Sequence, residues 1–323
     1  MRLFKTVRMV VAMVVTALVT GLAGAQAWPT QPVKVMVPFP AGGVADAVVR
    51  LLSENAQKEL GQPIVVDNKP GASGRLMQRL LKSAKPDGYT LGYASTTAAV
   101  VVAGEGKLDY DLVKDFTPVV ILGEFYGVVA VSTDLPVNSI AELVRYSKDN
   151  PGKLNYGSFG QGSQNHFYTE QMKYELGLDM LHVPFKGEVD TLNALMGKTI
   201  QVAVLGRVPA EFAGANRLKL LAVIAPDRIP TSPELPTMRE LGHPSLTSRT
   251  WFGLYGPAGI PAAAVSRLEK AYANASNTPE VRKRLTALGY VIKPRNGVQL
   301  TAAIEEDLAK YRAIKVRAGI ELN

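Results

Sequence analysis

Residues 33–48 read VKVMVPFPAGGVADAV, and the type of residue changes twice within these sixteen positions. The stretch begins as an apolar run, passes through two prolines and two glycines, and ends with a pattern that could start a helix. Proline and glycine interrupt a strand, so the stretch predicts a strand, a turn and then a helix. Asp46 falls near the first helical turn, where an acceptor or a negative charge is favourable.

Such a turn should present backbone N–H groups at the open end of a sheet. The first N–H groups of a helix have no intrahelical partner, and the helix dipole favours negative charge beside them. The turn, with its glycines Gly42 and Gly43, is therefore a candidate anion site. A strand–helix turn that binds nothing is the alternative.

Composition narrows the class of protein. The 323 residues suffice for one large or two medium domains, and 47% hydrophobic residues allow a sizeable core. The sequence has no cysteine, which excludes disulfides and cysteine-ligated metals. The formal charge is +8, with basic residues scattered among acids. That pattern argues against a nucleic-acid partner and favours a small anionic ligand.

The first 27 residues have the pattern of a secretory signal peptide. Arg2, Lys5 and Arg8 precede an apolar run at 9–23, and Ala25-Gln26-Ala27 is a small-x-small cleavage site, with Ala23-Gly24-Ala25 as the alternative. We expect cleavage near Ala27 and a periplasmic protein, with an uncleaved membrane anchor as the alternative. Cleavage would remove three positive charges and leave +5.

Strand-like and helix-like segments then alternate along the chain. Apolar runs at 33–37, 64–67 and 89–94 are each followed by a turn and a helical pattern. This alternation predicts a parallel sheet whose turns, at 38–46, 69–75 and 95–97, share one edge. Ser95 and Thr96 in the third turn are therefore candidate ligand contacts.

The alternation restarts after residue 150, which predicts two similar domains. The apolar runs at 118–132 and 250–255 are predicted to be strands that cross between them. The expected fold class is α/β, with two doubly wound domains, crossing strands and a central cleft. The predicted boundaries are 28–125 with 249–323 for the first domain and 126–248 for the second.

A second glycine-rich turn, YGSFGQGSQNH at 156–166, would face the first one across the cleft. It lacks the Gly-Lys-Ser/Thr ending of a nucleotide-binding loop. Ser158, Ser163 and Asn165 are neutral hydrogen-bonding candidates. A plain helix cap at Ser163 is the alternative.

Other chemistry has weak support in the sequence. Ser163 and His166 could suggest a hydrolase, but a Gly-x-Ser-x-Gly elbow is absent. The three histidines lie far apart, and no acidic cluster has a ligand spacing. We therefore expect no catalytic residue, no metal site and no cofactor.

Two basic residues follow strands at the expected cleft edge. Lys186, in the turn PFKG that ends at Gly187, could meet a carboxylate or extend into solvent. Arg207, after the apolar run at 200–205, has the forked geometry that suits a carboxylate. A surface role for Arg207 is the alternative.

The ordered motifs resemble the substrate-binding receptors of tripartite tricarboxylate transporters, the TctC or Bug family of bacterial periplasmic proteins. Each motif is weak, but together they span essentially the whole chain after residue 27. They are VPFPAGGVAD (37–46), VVDNKPGASG (65–74), KPDGYTLGYAST (85–96), YDLVKDFTPVVILG (110–123), NPGKLNYGSFGQGSQNH (150–166), HVPFKG (182–187), LAVIAPDR (221–228), LPTMRELG (235–242) and WFGLYGPAGIP (251–261).

The resemblance implies a periplasmic-binding-protein clamshell, similar to type II, that closes over a small ligand. Such receptors capture dicarboxylates, aromatic acids, amides or amino acids and deliver them to membrane permease subunits. They are not enzymes, and they work as monomers. Main-chain N–H groups and waters of the two loops hold the carboxylate. The corresponding positions here are Phe39, Ala41, Gly43, Asp46, Ser158, Gly162, Ser163 and Asn165, with Gly42 and His166 beside them.

The sequence departs from the family pattern at four positions that could alter ligand choice: Arg75, Lys198, Gln201 and Arg207. Three other functions remain open at this point. The same binding domain could report to a sensor kinase. A secreted hydrolase would use Ser163 and His166, and a structural periplasmic protein would bind no ligand.

Overall fold

The computed structural model describes residues 28–105, 108–206, 217–229 and 232–321. Strands and helices alternate through most of the described chain. The strands are β1 Val33–Val37, β2 Ile64–Asn68, β3 Thr90–Ser95, β4 Phe116–Phe125, β5 Val128–Val131, β6 Leu154–Ser158, β7 Met180–Pro184, β8 Val202–Leu205, β9 Lys219–Val223, β10 Thr250–Pro257 and β11 Val291–Asn296. The helices are α1 Val44–Leu60, α2 Arg75–Lys82, α3 Thr96–Gly104, α4 Ile140–Asp149, α5 Gln164–Leu176, α6 Glu188–Met196, α7 Ala262–Asn277, α8 Pro279–Ala287 and α9 Gly297–Arg317.

The first sheet has six strands in the order β11-β4-β10-β3-β1-β2. β1 pairs in parallel with both β2 and β3. β10 is antiparallel to β3 on one side and to β4 on the other, and β11 is antiparallel to β4. The sheet therefore combines strands from both ends of the described chain.

The second sheet has five strands in the order β7-β6-β8-β5-β9. β6 is parallel to β7 and β8, whereas β5 is antiparallel to β8 and β9. Both sheets are thus mixed: the predicted parallel arrangement of β1, β2 and β3 is confirmed, and each sheet also contains antiparallel strands. β5 and β10, the strands that directly follow the two crossings, run antiparallel to both of their neighbours, and β11 is antiparallel to β4 at the edge of the first sheet.

The apolar run at 118–132 also differs from its prediction as one long strand. It is divided at Tyr126-Gly127 into β4, in the first sheet, and β5, in the second. Gly127 lies in a crowded place, because an added Cβ would be 2.6 Å from Ile224 Cδ1. The chain therefore crosses between sheets through two residues, one of which has no room for a side chain.

Several helices begin or end at residue types that commonly cap helices. α1 ends at Gly61 (φ +73°) and α5 at Gly177 (φ +64°), both left-handed positions that suit glycine. The Ser139 hydroxyl accepts from Glu142 N at 3.2 Å at the start of α4. At α9, Asn296 and Gln299 form a reciprocal capping box.

Helices cover both faces of the first sheet. α1 and α7 pack on one face through residues such as Leu52 and Leu268. α3 and α9 pack on the other face through residues such as Val100 and Ile304. Phe167 of α5 joins the second of these clusters, although α5 follows a strand of the second sheet. One helix thus connects the cores of the two halves.

The second sheet is covered in the same way. Leu143 of α4 and Met172 of α5 pack on one face, and Leu195 of α6 packs on the other. The fold is therefore an α/β clamshell of two layered units. The strands of the first sheet fall within 28–125 and 249–323, and those of the second within 126–248. The domain boundaries themselves stay a prediction.

Candidate functional site

Turns that follow three neighbouring strands meet at one edge of the first sheet. Phe39 follows β1, Gly74 follows β2, Ser95 ends β3 and Thr97 lies in the first turn of α3. All four residues line a single open pocket. Parallel strands place such turns at the same edge, which is where ligands bind in open α/β sheets.

The first glycine turn is held together by Asp46. Its carboxylate accepts from Gly42 N at 3.0 Å, from Asn68 Nδ2 at 2.9 Å and from Arg50 Nε at 2.9 and 3.0 Å. Asp46 is 3% exposed. The hydrogen bond from Arg50 is the main reason that its pKa falls from 3.8 to about 2. The Asp46 carboxylate therefore organises the turn instead of projecting into the cleft.

The N–H groups that remain available in this turn are not those of the glycines. Gly42 N donates to Asp46, and Gly43 N donates weakly to Pro40 O at 3.3 Å. Within the described residues, the N–H groups of Phe39, Ala41, Val44 and Ala45 have no acceptor. The glycines shape the turn, and the predicted residues Phe39 and Ala41 supply donors together with the first turn of α1.

The Phe39 side chain has a packing role. Its ring meets Tyr93 edge-on with centroids 5.9 Å apart, and its carbonyl accepts from Asn68 Nδ2 at 3.0 Å. Asn68 thus joins the Phe39 carbonyl to the Asp46 carboxylate. These contacts fix the backbone that carries the free N–H groups.

In the second glycine turn, a side chain again accepts a hydrogen bond from a glycine N–H, but the acceptor is an imidazole instead of a carboxylate. Gly162 N donates to His166 Nδ1 at 3.1 Å, which requires that nitrogen to be unprotonated. Gly160 N donates to Ser158 Oγ at 3.3 Å, and Phe159 N donates to Asn165 Oδ1 at 3.3 Å. Ser158 and His166 are buried, so both act inside the turn.

Ser163 and Asn165 complete the internal network. The Ser163 hydroxyl lies 2.6 Å from Gly160 O and 2.8 Å from Asn165 Oδ1. Asn165 Nδ2 donates to Val204 O at 3.3 Å, which ties the turn to β8. Within the described part of the chain, the N–H groups of Gln161, Gln164, Asn165 and His166 have no acceptor. The available donors again belong to the first helical turn and the turn tip.

A stack of rings supports the second turn. His166 lies over His182 with centroids 4.1 Å apart, and His182 lies over Tyr156 at 4.9 Å. His182 Nε2 is 2.6 Å from Ser158 Oγ. Burial, with His182 as a second cause, lowers the pKa of His166 to about 4, and burial also lowers that of His182. Both imidazoles are therefore neutral at neutral pH.

Glu170 and Lys173 border this stack from the same helix. Tyr156 OH donates to Glu170 Oε1 at 2.5 Å, and Lys173 Nζ pairs with the same carboxylate at 2.9 Å. The ion pair balances charge beside the two neutral histidines. The second glycine turn is thus supported by three stacked rings, and the carboxylate bonded to the last of them, Glu170, is paired with Lys173.

The two candidates at the end of β3 have different environments. Ser95 is 5% exposed and lines the pocket. Thr96 is fully buried, and its Oγ1 accepts from Trp251 N at 3.1 Å. Trp251 Nε1 in turn donates to Asp307 Oδ2 at 2.6 Å. Burial raises the pKa of Asp307 to about 6. Thr96 therefore joins an internal network, and its hydroxyl does not reach the cleft.

The remaining predicted ligand contacts are Lys186 and Gly187, which follow β7, and Arg207, which follows β8. Lys186 is exposed and, in the described part of the chain, has no ion-pair partner. The Gly187 carbonyl accepts from the Thr191 hydroxyl at 2.9 Å, which starts α6. Arg207 lies outside the described residues. Lys186 is thus available to an anionic ligand, and Gly187 serves the helix start.

Three departures from the family pattern lie within the described residues, and two of them make internal contacts. Arg75 pairs with Glu105, and its Nε donates to Ala72 O at 2.9 Å. Gln201 Oε1 accepts from Asn155 N at 2.9 Å at the start of β8. Lys198 takes a left-handed conformation with φ +62° and is exposed.

The hydrolase alternative lacks the required geometry. Ser163 bonds to Gly160 and Asn165, and His166 bonds to Gly162, so the two form no pair. Ser158 is close to His182, but it is fully buried and its hydroxyl donates to Gly160 O at 3.0 Å. Among the described residues, no group of His, Cys, Asp and Glu side chains could hold a metal ion. The described helices include none long and apolar enough to cross a membrane.

Sequence reasoning missed two features of the site. His182 faces Tyr156 because β6 and β7 pair in that register, which a strand alignment could have indicated. Gln78 lines the first-sheet pocket from α2, one helical turn after Gly74. That spacing was a usable signal, because residues four apart lie on one helix face.

Comparisons with known proteins identify the family. A family model described as the tripartite tricarboxylate transporter family receptor matches residues 48–320. A UPF0065 protein of Bordetella pertussis is 33% identical over 302 residues, which cover 93% of this chain and 91% of that protein.

Solved structures agree with this result. Rpa4515 of Rhodopseudomonas palustris with adipate has a TM-score of 0.82 and 28% identity, covering 91% of this chain and 99% of that one. MatC of the same organism with bound malate has a TM-score of 0.80 and 32% identity, covering 89% and 99%. The matching family model describes a transporter receptor, and a further structural relative, BugD, is described as a periplasmic binding protein. The chain belongs to the tripartite tricarboxylate transporter receptor family, the TctC family of solute-binding proteins.

Proposed function

We propose that this protein captures a small carboxylate-bearing ligand in the cleft and delivers it to a tripartite tricarboxylate-type transporter. The ligand class is a dicarboxylate, an aromatic acid or a related acid. The observation that carries the proposal is the pair of glycine turns with free N–H groups at the starts of α1 and α5. Two helix N-termini favour an anion between them.

Backbone donors hold the carboxylate in this proposal. On the first domain they are the N–H groups of Phe39, Ala41 and the first turn of α1. On the second domain they are the N–H groups of Gln161 and the first turn of α5. Lys186 adds a positive charge at the edge of the cleft. The bound adipate and malate of two structural relatives support a carboxylate ligand.

The proposed domains are 28–125 with 249–323, and 126–248, and closure is a hinge motion at the two crossings. The first crossing is Tyr126-Gly127, and the second precedes β10, where Ser248 N donates to Ile224 O at 2.7 Å. Closure is favoured because the ligand reaches donors on both domains only in the closed form.

We further propose that residues 1–27 are a signal peptide cleaved near Ala27 and that the mature receptor is a periplasmic monomer. The family membership supports a periplasmic location. N-terminal sequencing of the protein exported from its host tests the cleavage site, which should leave Trp28 as the first residue.

A thermal-shift screen tests ligand capture. Malate, adipate and benzoate should each be compared with the corresponding primary amide, which keeps the size of the acid and removes its charge. A carboxylate should raise the melting temperature of the mature protein, and its amide should not. Native mass spectrometry before and after denaturation checks for a ligand retained from the host. Equal shifts from acid and amide, or no shift from any acid, would overturn the proposal.

A further inference from the structure

The start of α5 is bonded to the proposed first domain through the side chain of Gln164. Gln164 Nε2 donates to Tyr311 OH of α9 at 3.1 Å, and Gln164 Oε1 accepts from Thr250 Oγ1 of β10 at 3.0 Å. These partners lie 147 and 86 residues further along the chain. Both polar ends of one amide in the proposed second domain are therefore used by the first.

The two partners of Gln164 are buried. Tyr311 is 1% exposed and Thr250 is 8% exposed, whereas Gln164 itself is half-buried. Tyr311 OH also lies 3.4 Å from Ser248 Oγ, in the segment that leads into β10. Losing a hydrogen bond to a buried group is unfavourable, because the remaining partner is left unsatisfied. The two bonds of Gln164 therefore favour the arrangement in which α5 lies against α9 and β10.

Phe167 adds an apolar contact at the same place. It follows Gln164 by three residues, and residues three apart in a helix lie on one face. The Phe167 side chain is fully buried, and its ring meets that of Tyr311 edge-on with centroids 5.9 Å apart. The first turn of α5 thus meets α9 through one polar and one apolar side chain.

The backbone of Gln164 belongs to the second glycine turn. Its N–H is among the free donors at the start of α5. A ligand held between the starts of α1 and α5 needs both sets of donors at once. Its affinity therefore depends on the fraction of the protein in which the two helix starts face each other.

We propose that Gln164 is a positioning residue that holds the start of α5 against the first domain in the arrangement that binds the ligand. This inference rests on the proposed function, because the N–H groups at the two helix starts hold the carboxylate. The Gln164 side chain raises the fraction of the protein in the binding arrangement without touching the ligand. Its loss weakens the binding of every ligand by the same factor, since that fraction multiplies each affinity alike.

Gln164→Met tests the inference, because it removes both hydrogen bonds and keeps a similar length and volume. Isothermal titration calorimetry with malate, adipate and benzoate measures the affinities of the unmodified and variant proteins. Each acid that binds the unmodified protein should bind the variant about tenfold more weakly, and the ratios between acids should not change. Unchanged affinities would overturn the inference. A loss confined to one acid would also overturn it, since that result would show direct contact with the ligand.

Gln171→Met is the matched control on the same helix. Gln171 Nε2 donates to Glu175 Oε1 at 2.8 Å and to Ser245 O at 3.1 Å, both within the proposed second domain. This variant should lower the free energy of unfolding about as much as Gln164→Met does, but it should leave the affinities unchanged. Urea unfolding measures the first quantity. Equal losses of affinity in the two variants would show that lower stability alone weakens binding.

Tyr311→Phe is an independent test, because it keeps the ring that packs against Phe167 and removes only the hydroxyl. It should weaken every acid by one common factor that is smaller than in Gln164→Met, since the bond to Thr250 remains. The double variant should bind little more weakly than Gln164→Met, because both changes remove one shared bond. Additive losses would contradict the assignment. If Gln164→Met does not fold, unchanged affinities in Tyr311→Phe would overturn the inference.

The outcomes separate the two proposals. Acids that bind the unmodified protein and Gln164→Met equally well would remove only the role of Gln164. Failure of every acid to bind the unmodified protein, with native mass spectrometry showing no retained ligand, would remove the proposed function and this inference with it.

Discussion

The first and second glycine turns have the same hydrogen-bond geometry, but the side chain that accepts the bond differs. In both, a glycine N–H donates to a side chain four residues later in the first helical turn. The first turn uses the Asp46 carboxylate for Gly42, and the second uses the His166 imidazole for Gly162. In both, this contact leaves the N–H groups of the helix start free for a ligand.

The two acceptors differ in their response to protons. Asp46 is surrounded by donors, and its pKa of about 2 keeps it ionised at any ordinary pH. His166 accepts only while Nδ1 carries no proton. His182 is stacked 4.1 Å away, so a proton on either ring would disfavour a proton on the other. The first turn is thus stable over a wide pH range, and the second is stable only above mildly acidic pH.

Acidification should have the largest effect on stability, because it should weaken the second glycine turn and leave the first one unchanged. The pKa of His166 is about 4 in the fold, against 6.5 in the unfolded chain. Between these values the unfolded chain binds the proton more readily. The stability that neutral His166 confers is therefore complete above pH 6.5 and decreases as the pH falls towards 4. The expected loss is about 3 kcal/mol between pH 7 and pH 4.

Urea unfolding at half-unit pH steps measures this loss. The groups facing His166 are His182, Glu170 and Lys173, so part of the slope belongs to His182. His166→Gln keeps an acceptor without a titrating ring, and most of the slope between pH 6.5 and 4 should disappear. An unchanged slope in that variant would show that other groups carry the effect.

Removing the acceptor of the first turn should have the next largest effect. Asp46→Ala leaves Gly42 N–H, Asn68 and Arg50 without their shared acceptor, and we expect the free energy of unfolding to fall by about 2 kcal/mol. Asp46→Asn keeps an oxygen and should lose about half as much. Urea unfolding at pH 7 measures both.

The same carboxylate predicts a separate pH effect. Its pKa is lowered in the fold, so its contribution is complete above pH 3.8 and decreases as the pH falls towards 2. That decrease should be missing in Asp46→Ala. If Asp46→Ala unfolds at the same urea concentration as the unmodified protein, the turn does not depend on this carboxylate.

Backbone strain in the turns should have a smaller effect. Gly42 has φ +78° and open space where a Cβ would lie, so Gly42→Ala tests conformation without a steric clash. We expect a loss of about 1 kcal/mol, and less for Gly42→Asn, because asparagine tolerates this conformation. Gly162 has φ +75°, and Gly162→Ala should cost a similar amount. Equal stability of Gly42→Ala and Gly42→Asn would indicate that the turn relaxes.

The outer partner of Asp46 should matter least. The Arg50 side chain is 50% exposed, so solvent screens its ion pair with Asp46. Arg50→Gln should lower the free energy of unfolding by about 0.5 kcal/mol in low salt and by less in 0.5 M salt. A loss as large as that of Asp46→Ala would show that Arg50, rather than Asn68 and Gly42, holds the carboxylate in place.

Local patterns in the sequence predicted most elements of the fold. The predicted strand at 33–37 matches β1, and the one at 64–67 lies within one residue of β2. Strand direction was harder, because direction depends on partners distant in sequence, such as β10 between β3 and β4. β11 was missed because Lys293, Pro294 and Arg295 interrupt its apolar pattern.

The site was predicted at the level of turns but not at the level of atoms. The turns at 38–46 and 156–166 are where the free N–H groups lie. Which N–H groups are free could not be read from the sequence, because Asp46 and His166 use those of Gly42 and Gly162. Gln78 was missed because its place at the pocket depends on the packing of α2 against β3 and β10.

The position of β10 has a consequence for the order in which the protein assembles. β10 pairs with β3 on one side and β4 on the other, so the centre of the first sheet is empty until residues 250–257 have emerged. The second sheet uses only strands from 128–223 and can form earlier. A chain that is still being made therefore holds the three-stranded piece β2-β1-β3 and the single unpaired strand β4, whose open edges are prone to aggregation. Any truncation before residue 250 would make that vulnerable intermediate permanent.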